Sequence, residues 1–182
     1  MSTEIKTLAS REIYRNRWMT LKEDKILRAD GSEGLYSVVE KQDFVVIVPV
    51  QDKAIYVVEQ YRYPLGQRTI ELPQGSWEHL PSASPAEVAA GELREETGLK
   101  AGRLICMGYQ KLAQGFSAQG YHIYFATQLS WHGQQLDAEE VGLKARKLTV
   151  RDFTQLVLEG KITDATSVTA FLLAKAKGLI SE

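Results

Sequence analysis

Cysteine is almost absent from this chain: Cys106 is the single one among 182 residues. A lone cysteine excludes an intrachain disulfide and fits a reducing compartment, so we expect a cytoplasmic location. Cys106 stands in the apolar run 104–107, where a cysteine ordinarily serves as a small buried hydrophobe rather than as a catalyst. We therefore expect Cys106 in the core.

Charge of one sign and long apolar runs are also lacking. The chain has 22 basic and 23 acidic residues and a net charge of −1, so no bulk attraction to nucleic acid or to an anionic membrane is implied. No window approaches the roughly 20 apolar residues of a membrane-spanning helix, and the N-terminus has no apolar signal core. These features disfavour nucleic acid and membrane partners and predict a soluble protein.

The length suggests one domain with an added element. Residues 11–41 have β-type patterns on both sides of an Asp30–Gly31 turn, which predict a hairpin. Its faces are amphipathic, as in an edge sheet or a partner surface. We expect an N-terminal element over residues 1–41 and a main domain over residues 42–182.

The rest of the chain alternates strand and helix patterns. Extended patterns predict strands at 44–50, 54–59, 68–72, 101–111, 120–129 and 143–148. Helical patterns cover 85–97, 150–159 and the segment after Thr163 and Asp164. Residues 112–119 and 131–141 are predicted loops. The fold class is therefore α+β.

The helix at 85–97 has clear ends. Ser84 is a favoured N-cap, Glu87 three residues later completes a capping box, and Gly98 can end the helix in a left-handed conformation. The residues predicted to pack on a core are Ala86, Ala89, Ala90, Leu93 and Thr97.

Three carboxylates, those of Glu92, Glu95 and Glu96, fall on one face of this helix at i, i+3 and i+4. Like charges at this spacing repel one another. A divalent cation would relieve the repulsion, and hard cations such as Mg²⁺ prefer carboxylate oxygens. From the helix alone, a solvated acidic face is an equally good interpretation.

Residues 71–99 resemble the box of the Nudix hydrolases. The second half of the box, residues 92–99, matches fully, and the first half departs from it in three places. Gly75 lies two residues too far upstream, Ala83 stands where the family has its first Glu, and Gly91 stands where it has an Arg that braces a neighbouring Glu. Arg94 or another cation is a candidate substitute for that Arg.

Further motifs are similar to the branch of the family that hydrolyses ADP-ribose and nucleotide sugars. They lie at residues 60–64, 71–75, 115–117 and 160–167, and so they span nearly the whole chain. The resemblance implies an α/β/α sandwich, with a mixed central sheet flanked by helices. It also implies an N-terminal antiparallel sheet that is used to form a homodimer.

The resemblance implies hydrolysis of a nucleoside diphosphate sugar to a nucleoside monophosphate and a sugar phosphate, with Mg²⁺ as the cofactor and Mn²⁺ as a substitute. Glu92 and Glu96 would bind the metal, with Glu95 on a second ion and the backbone carbonyl of Gln74 as a further ligand. Divalent metals offset the charge of the diphosphate that repels an attacking hydroxide.

The general base implied by the branch is a Glu on the loop before the penultimate strand. Glu140 is the first choice and Glu139 the second, because a carboxylate on such a loop can close over bound substrate. Two alternatives stay open: both are ordinary loop acids, or the base is Glu92 or Glu95 of the helix.

Five residues are candidates for substrate binding. Arg62 presents a planar fork suited to the diphosphate, although an ion pair with Glu71 is the alternative; Glu71 itself is counted with this group. Trp18, Arg17 and Tyr36 are candidates for stacking on the base, with dimer packing or core packing as the alternative.

Two other functions remain to be separated from this one. The first is hydrolysis of another nucleoside diphosphate derivative, such as a dinucleoside polyphosphate, an oxidised nucleotide or a capped RNA. The second is a non-catalytic module that binds a nucleotide sugar, which the missing first Glu and Arg of the box allow.

Overall fold

The computed structural model describes residues 4–77, 80, 82–136, 138 and 140–180. Two compact units make up the chain. One comprises the N-terminal residues up to 43 together with residues 111–120, and the other comprises residues 44–110 and 121 onward. The boundary predicted between residues 41 and 42 stays a prediction.

The N-terminal unit is a three-stranded antiparallel sheet in the order β1-β2-β3. Its strands are β1 (Ile5–Arg15), β2 (Thr20–Arg28) and β3 (Glu33–Glu40). The predicted hairpin is β2–β3, and its turn contains Gly31 at a φ of 83°, a conformation that glycine adopts without strain. β1 begins at Ile5, before the region with the β-type pattern. Residues 111–120 join this unit through a bridge between Ser117 and Val39.

The larger unit contains a mixed seven-stranded sheet. Its main path is β10-β5-β4-β9-β8, with β6 paired to β5 and β7 to β4. The bounds are β4 (Phe44–Gln51), β5 (Ala54–Arg62), β6 (Gln67–Glu71), β7 (Gln74–Gly75), β8 (Leu99–Lys111), β9 (Gly120–Trp131) and β10 (Lys144–Thr149). β4 and β9 are parallel, whereas the β4–β5 pair is antiparallel.

Among the residues that the structure describes, three α-helices flank this sheet: α1 (Pro85–Thr97), α2 (Val150–Leu158) and α3 (Ala165–Ala176). The alternation of side chains along β4 shows why both faces are covered. Val46 and Val48 pack in a core with Phe153 of α2 and Phe171 of α3. Val45 and Ile47 pack in a second core that contains Val88, Ala89 and Leu93 of α1. This arrangement is the predicted α/β/α sandwich.

The predicted caps of α1 are present. Ser84 and Glu87 form the capping box, and Gly98 ends the helix at a φ of 74°. Thr149 and Asp164 cap α2 and α3 with their side chains.

Two local predictions are wrong. Cys106 is exposed, because alternate residues of β8 face away from the core and the following residue, Met107, is the one that is buried. Ala86 and Ala90 of α1 are exposed as well. In addition, Gln74 and Gly75, for which no strand was predicted, pair with β4 as a two-residue strand.

No helix in the part of the chain that the structure describes is long and apolar enough to cross a membrane.

Candidate active site

Two of the acidic residues of α1, Glu92 and Glu96, face inward rather than outward. Glu92 and Glu96 are only 5% and 2% exposed, because they lie on the same side of the helix as Val88 and Leu93, which pack on the sheet. The interpretation of a solvated acidic face is therefore wrong for these two residues. Carboxylates are rarely buried without a partner that offsets the cost of losing their hydration.

Glu140, which lies in a loop, is close to Glu92 and Glu96. Carboxylate oxygens of Glu92, Glu96 and Glu140 all lie within 4.8 Å of one another. Glu140 is half-buried and lies before β10, which is the last strand in the described chain and not the penultimate strand of the implied motif. Glu92 and Glu96 are one helical turn apart, whereas Glu140 comes 44 positions after Glu96 (140 minus 96). The fold thus brings together residues that are distant in the chain. Glu139, the second candidate base, lies outside the described residues.

The electrostatics of this cluster suit a cation. Burial raises the pKa of Glu96 well above its usual range, and the charges of Glu92 and Glu140 raise it further. The backbone N–H of Gln74 partly opposes these effects, since it donates to Glu96 Oε2 at 3.0 Å. A divalent cation among the three carboxylates would neutralise their repulsion.

β7 places the backbone of Gln74 and Gly75 next to the cluster of carboxylates. Pairing of Gln74 with Val46 and of Gly75 with Val45 holds this short strand against β4. A Cβ on Gly75 would lie 2.5 Å from the Glu92 carboxylate, so a larger residue would displace the end of that side chain. The Gln74 side-chain Oε1 is buried and makes no hydrogen bond to any described residue, an acceptor that a bound water or ion could use.

Glu95 lies outside the group of three. Its Oε2 accepts a hydrogen bond from Trp77 Nε1 at 3.2 Å. The predicted substitutes for the missing Arg of the box were cations, and the partner observed here is a neutral indole. The role of Glu95 as a ligand of a second ion stays a prediction.

Arg62 forms the ion pair that the sequence left open as an alternative. Its Nε and Nη2 donate to the two oxygens of Glu71 at 2.8 and 2.5 Å. Glu71 also accepts from Thr69 Oγ1 and from Gln74 Nε2, at 2.6 and 2.7 Å. Burial acts to raise the pKa of Glu71, but these donors, Arg62 foremost, leave it lowered.

The stacking candidates lie in the N-terminal unit. The Arg17 guanidinium lies 4.5 Å from the centre of the Trp18 ring, and the Trp18 side chain is 44% exposed. The Tyr36 hydroxyl donates to the Gly115 carbonyl at 2.7 Å. The Trp18 and Tyr36 side chains are both exposed, and a role of the three residues in binding a base stays a prediction.

Three further residues support the site, and sequence reasoning missed two of them, Trp77 and Ser167. Trp77 contacts α1. Asp164 accepts hydrogen bonds from both the N–H and the hydroxyl of Ser167, at 2.8 and 2.6 Å. Ser167 Oγ in turn accepts from Leu72 N at 2.7 Å. The Asp164 cap was visible in the sequence. The contacts of Trp77 and Ser167 were not, since each joins segments that are distant in the chain.

The α/β/α sandwich is the architecture that the resemblance to the Nudix hydrolases implied. A solved structure described as an ADP compounds hydrolase has this fold: it superposes with a TM-score of 0.84 over 97% of each chain, at 20% sequence identity. Residues 5–39 match the family model described as the nucleoside diphosphate sugar hydrolase N-terminal domain.

Three relatives match most of the chain, and two of them are named ADP-ribose pyrophosphatases. The chain is 27% identical to an ADP-ribose pyrophosphatase of Bacillus subtilis (strain 168), over 97% of this chain and 95% of that protein. It is 29% identical to an ADP-ribose pyrophosphatase of Mycobacterium tuberculosis, over 95% and 84%. It is also 28% identical to a methanol dehydrogenase activator of Bacillus methanolicus, over 92% and 90%. The resemblance to the ADP-ribose and nucleotide-sugar pyrophosphatase branch of the Nudix hydrolases is confirmed.

Proposed function

We propose that this protein hydrolyses the diphosphate bond of a nucleoside diphosphate sugar, ADP-ribose or a related compound, to a nucleoside monophosphate and a sugar phosphate. The observation that carries the proposal is the convergence of the Glu92, Glu96 and Glu140 carboxylates within 4.8 Å. Two relatives over most of the chain are named ADP-ribose pyrophosphatases, which supports this substrate class.

Mg²⁺ is the proposed cofactor, with Mn²⁺ as a substitute. Glu92 and Glu96 would hold it together with the backbone carbonyl of Gln74, and Glu95 would bind a second ion. When bound, a divalent cation neutralises charge on the diphosphate and on the leaving oxygen. Buried, mutually repelling carboxylates are the donor set that a hard cation prefers.

Glu140 is the proposed general base. A water near the carboxylate cluster transfers a proton to Glu140 as its oxygen attacks one phosphorus atom, and the bond from that phosphorus to the bridging oxygen breaks. Glu140 is half-buried and so can exchange protons with solvent between turnovers. Glu139 is the second candidate, and Glu92 or Glu95 of the helix is the competing one.

Arg62 is the proposed diphosphate ligand. Its hydrogen bonds to Glu71 use Nε and Nη2, and the side chain keeps 38% exposure. The remaining nitrogen, Nη1, is thus available to a phosphate oxygen, while Glu71 fixes the plane of the guanidinium. Trp18, Arg17 and Tyr36 are the proposed contacts to the base.

The proposal includes a cytoplasmic homodimer. Cytoplasmic location is supported by the single cysteine of the chain. Dimerisation through the N-terminal sheet, residues 1–41, is supported by the apolar side chains that this sheet exposes, among them Ile5, Leu8, Ile13 and Leu35.

The test is a substrate panel with product analysis. Purified protein with Mg²⁺ is expected to convert ADP-ribose or a UDP-, GDP- or ADP-sugar to a monophosphate and a sugar phosphate, and EDTA should abolish the reaction. Glu140→Gln should lower kcat by roughly 10²- to 10⁴-fold, the usual contribution of a general base. Glu139→Gln is the matched variant next to it.

Three outcomes would count against parts of this proposal. No turnover of any nucleotide sugar, together with tight binding, would favour the non-catalytic module. Turnover of only a dinucleoside polyphosphate, an oxidised nucleotide or a capped RNA would favour the other substrate classes. A wild-type rate in Glu140→Gln with a large loss in Glu139→Gln would transfer the role of base to Glu139.

A further inference from the structure

An aromatic ring lies directly on the backbone of α1 at Gly91. A Cβ placed on Gly91 would lie 1.9 Å from Trp77 Cζ2 and 2.5 Å from Cη2. Atoms cannot approach so closely, so the ring occupies the volume that any other residue's side chain would need. Glycine inside a helix costs about 1 kcal/mol relative to alanine, and here it makes room for the indole.

The same indole reaches Glu95. Trp77 Nε1 donates to Glu95 Oε2 at 3.2 Å. Glu95 follows Gly91 by four positions, so the two lie next to each other on one face of the helix. Contact of the ring with Gly91 therefore places its N–H beside the Glu95 carboxylate.

Trp77 is held in place by more than this bond. It is half-buried and packs, with Ala83, against the core that contains Val88 and Leu93. Two backbone hydrogen bonds lie close to it in the chain: Leu80 N donates to Trp77 O, and Ala83 N donates to Leu80 O, both at 3.0 Å. The donor is thus supplied by a packed side chain, which loses little entropy in making the hydrogen bond.

We propose that Trp77 is a positioning residue that fixes the orientation of Glu95, and that Gly91 is required for it. The consequence for catalysis rests on the proposed function. The orientation of Glu95 itself does not.

A neutral donor has a particular effect on a carboxylate. An arginine or lysine in this place would orient Glu95 and also neutralise its charge. The indole N–H orients one oxygen, Oε2, and leaves the full negative charge for a cation at the other. Trp77 therefore suits a carboxylate whose task is to bind metal.

The proposal is tested by measuring Mn²⁺ binding in a titration without substrate. Trp77→Phe keeps a ring over Gly91 but removes the N–H, and we expect it to weaken Mn²⁺ binding at the Glu95-dependent site about tenfold, as for loss of a hydrogen bond to a charged group. Trp131→Phe is the matched control, because the Trp131 ring lies against another glycine of this helix, its C-cap Gly98. It should leave Mn²⁺ binding unchanged.

A double-mutant cycle assigns the effect to Glu95. In a Glu95→Gln background, Trp77→Phe should change Mn²⁺ affinity less than twofold, since the residue it acts through is already altered. An equal loss in both backgrounds, or no loss in the wild-type background, would overturn the proposal.

The indole N–H resonance gives a readout that needs neither metal nor substrate. In a ¹⁵N-labelled sample, the Trp77 resonance is assigned by its disappearance in Trp77→Phe. Glu95→Gln should shift it and leave the resonances of Trp18 and Trp131 in place. A stationary Trp77 resonance would contradict the proposal, whereas protein that shows the shift and binds Mn²⁺ but hydrolyses no nucleotide would contradict only the proposed function.

Discussion

At the scale of single residues, the close approach of backbone to carboxylate at Gly75 sets the geometry of the cluster. A Cβ on Gly75 would meet the end of the Glu92 side chain, 2.5 Å from its carboxylate atoms. That end is flexible, and the backbone of β7 is not, because it is paired with β4. A larger residue would therefore move the carboxylate rather than the strand.

We predict that Gly75→Ala weakens Mn²⁺ binding by about tenfold and changes the free energy of unfolding by less than about 1 kcal/mol. The displaced Glu92 carboxylate no longer meets Glu96 and Glu140 at the same distances, while the packing of α1 is kept. Isothermal titration and chemical denaturation measure the two quantities. Gly115→Ala is the control for metal binding, because a Cβ there meets no described atom within 4 Å. A large loss of stability without a change in Mn²⁺ affinity would contradict this account.

The Arg62–Glu71 pair makes a prediction about pH. The pKa of Glu71 in the folded protein is lowered, so its contribution to stability is complete above the unfolded pKa of about 4.3 and is lost as the pH falls through the folded value. Glu71→Gln should therefore be less stable than the wild type at pH 7, by about 1–3 kcal/mol given the partial exposure of Arg62.

This difference should shrink as the pH falls below about 4. Urea denaturation of both proteins between pH 3 and pH 8 measures it. Glu159→Gln is the control, since Glu159 pairs with Lys161 at the surface, and it should leave the unfolding midpoint nearly unchanged. A deficit of equal size at pH 3 and pH 7 would show that Glu71 does not act through its charge.

At the scale of secondary-structure elements, α1 shows which features could be predicted from the sequence and which could not. Its ends followed from Ser84, Glu87 and Gly98, because capping depends on neighbouring residues. Its buried face did not follow. The apolar Ala86 and Ala90 are exposed, whereas Glu92 and Glu96 are buried. Apolar periodicity assumes that polar residues face water, and this assumption fails where a site is built into the core.

Short strand pairings and contacts between distant segments could not be predicted from the sequence either. β7 has only two residues, too few for any periodic pattern. The spacing of Glu92 and Glu96 predicted that these two share a face, since it is a property of one helix. The approach of Glu140 or Trp77 to that helix depends on how loops pack, for which the residues themselves have no local pattern; Glu140 was named only through the family resemblance.

Ser167 of α3 connects that helix to the segment before the cluster. It is fully buried, donates to the Asp164 cap and accepts from Leu72 N. Ser167→Ala leaves the Leu72 N–H buried without its acceptor, which should cost about 1–3 kcal/mol of stability. Thermal and urea denaturation measure the loss, with the exposed Ser130→Ala expected within about 0.5 kcal/mol of the wild type. Equal stability of the two variants would contradict a structural role for the Leu72–Ser167 hydrogen bond.

At the scale of the whole molecule, the N-terminal sheet exposes several large apolar side chains, as a surface that binds a second copy would. All eleven residues of β1 are exposed, and a long edge strand with apolar side chains is ordinarily covered by a partner. Ile13 is 46% exposed and Leu35 is 60% exposed. A second copy of this sheet is the partner that the family resemblance implies.

We predict that the wild type sediments as a dimer at micromolar concentration and that Ile13→Asp and Leu35→Asp each weaken dimerisation at least about tenfold, because a buried unpaired carboxylate is costly. Leu158→Asp is the control: Leu158 ends α2 and is 76% exposed, but it lies outside the N-terminal sheet, and so the dimer should persist. Sedimentation equilibrium over a range of concentrations measures all four proteins. Far-ultraviolet circular dichroism shows that each variant is folded.

A wild type that stays monomeric throughout this range, or an unchanged dissociation constant in both sheet variants, would exclude the N-terminal sheet as the dimer interface. Dissociation caused by Leu158→Asp alone would place the interface on the larger unit instead.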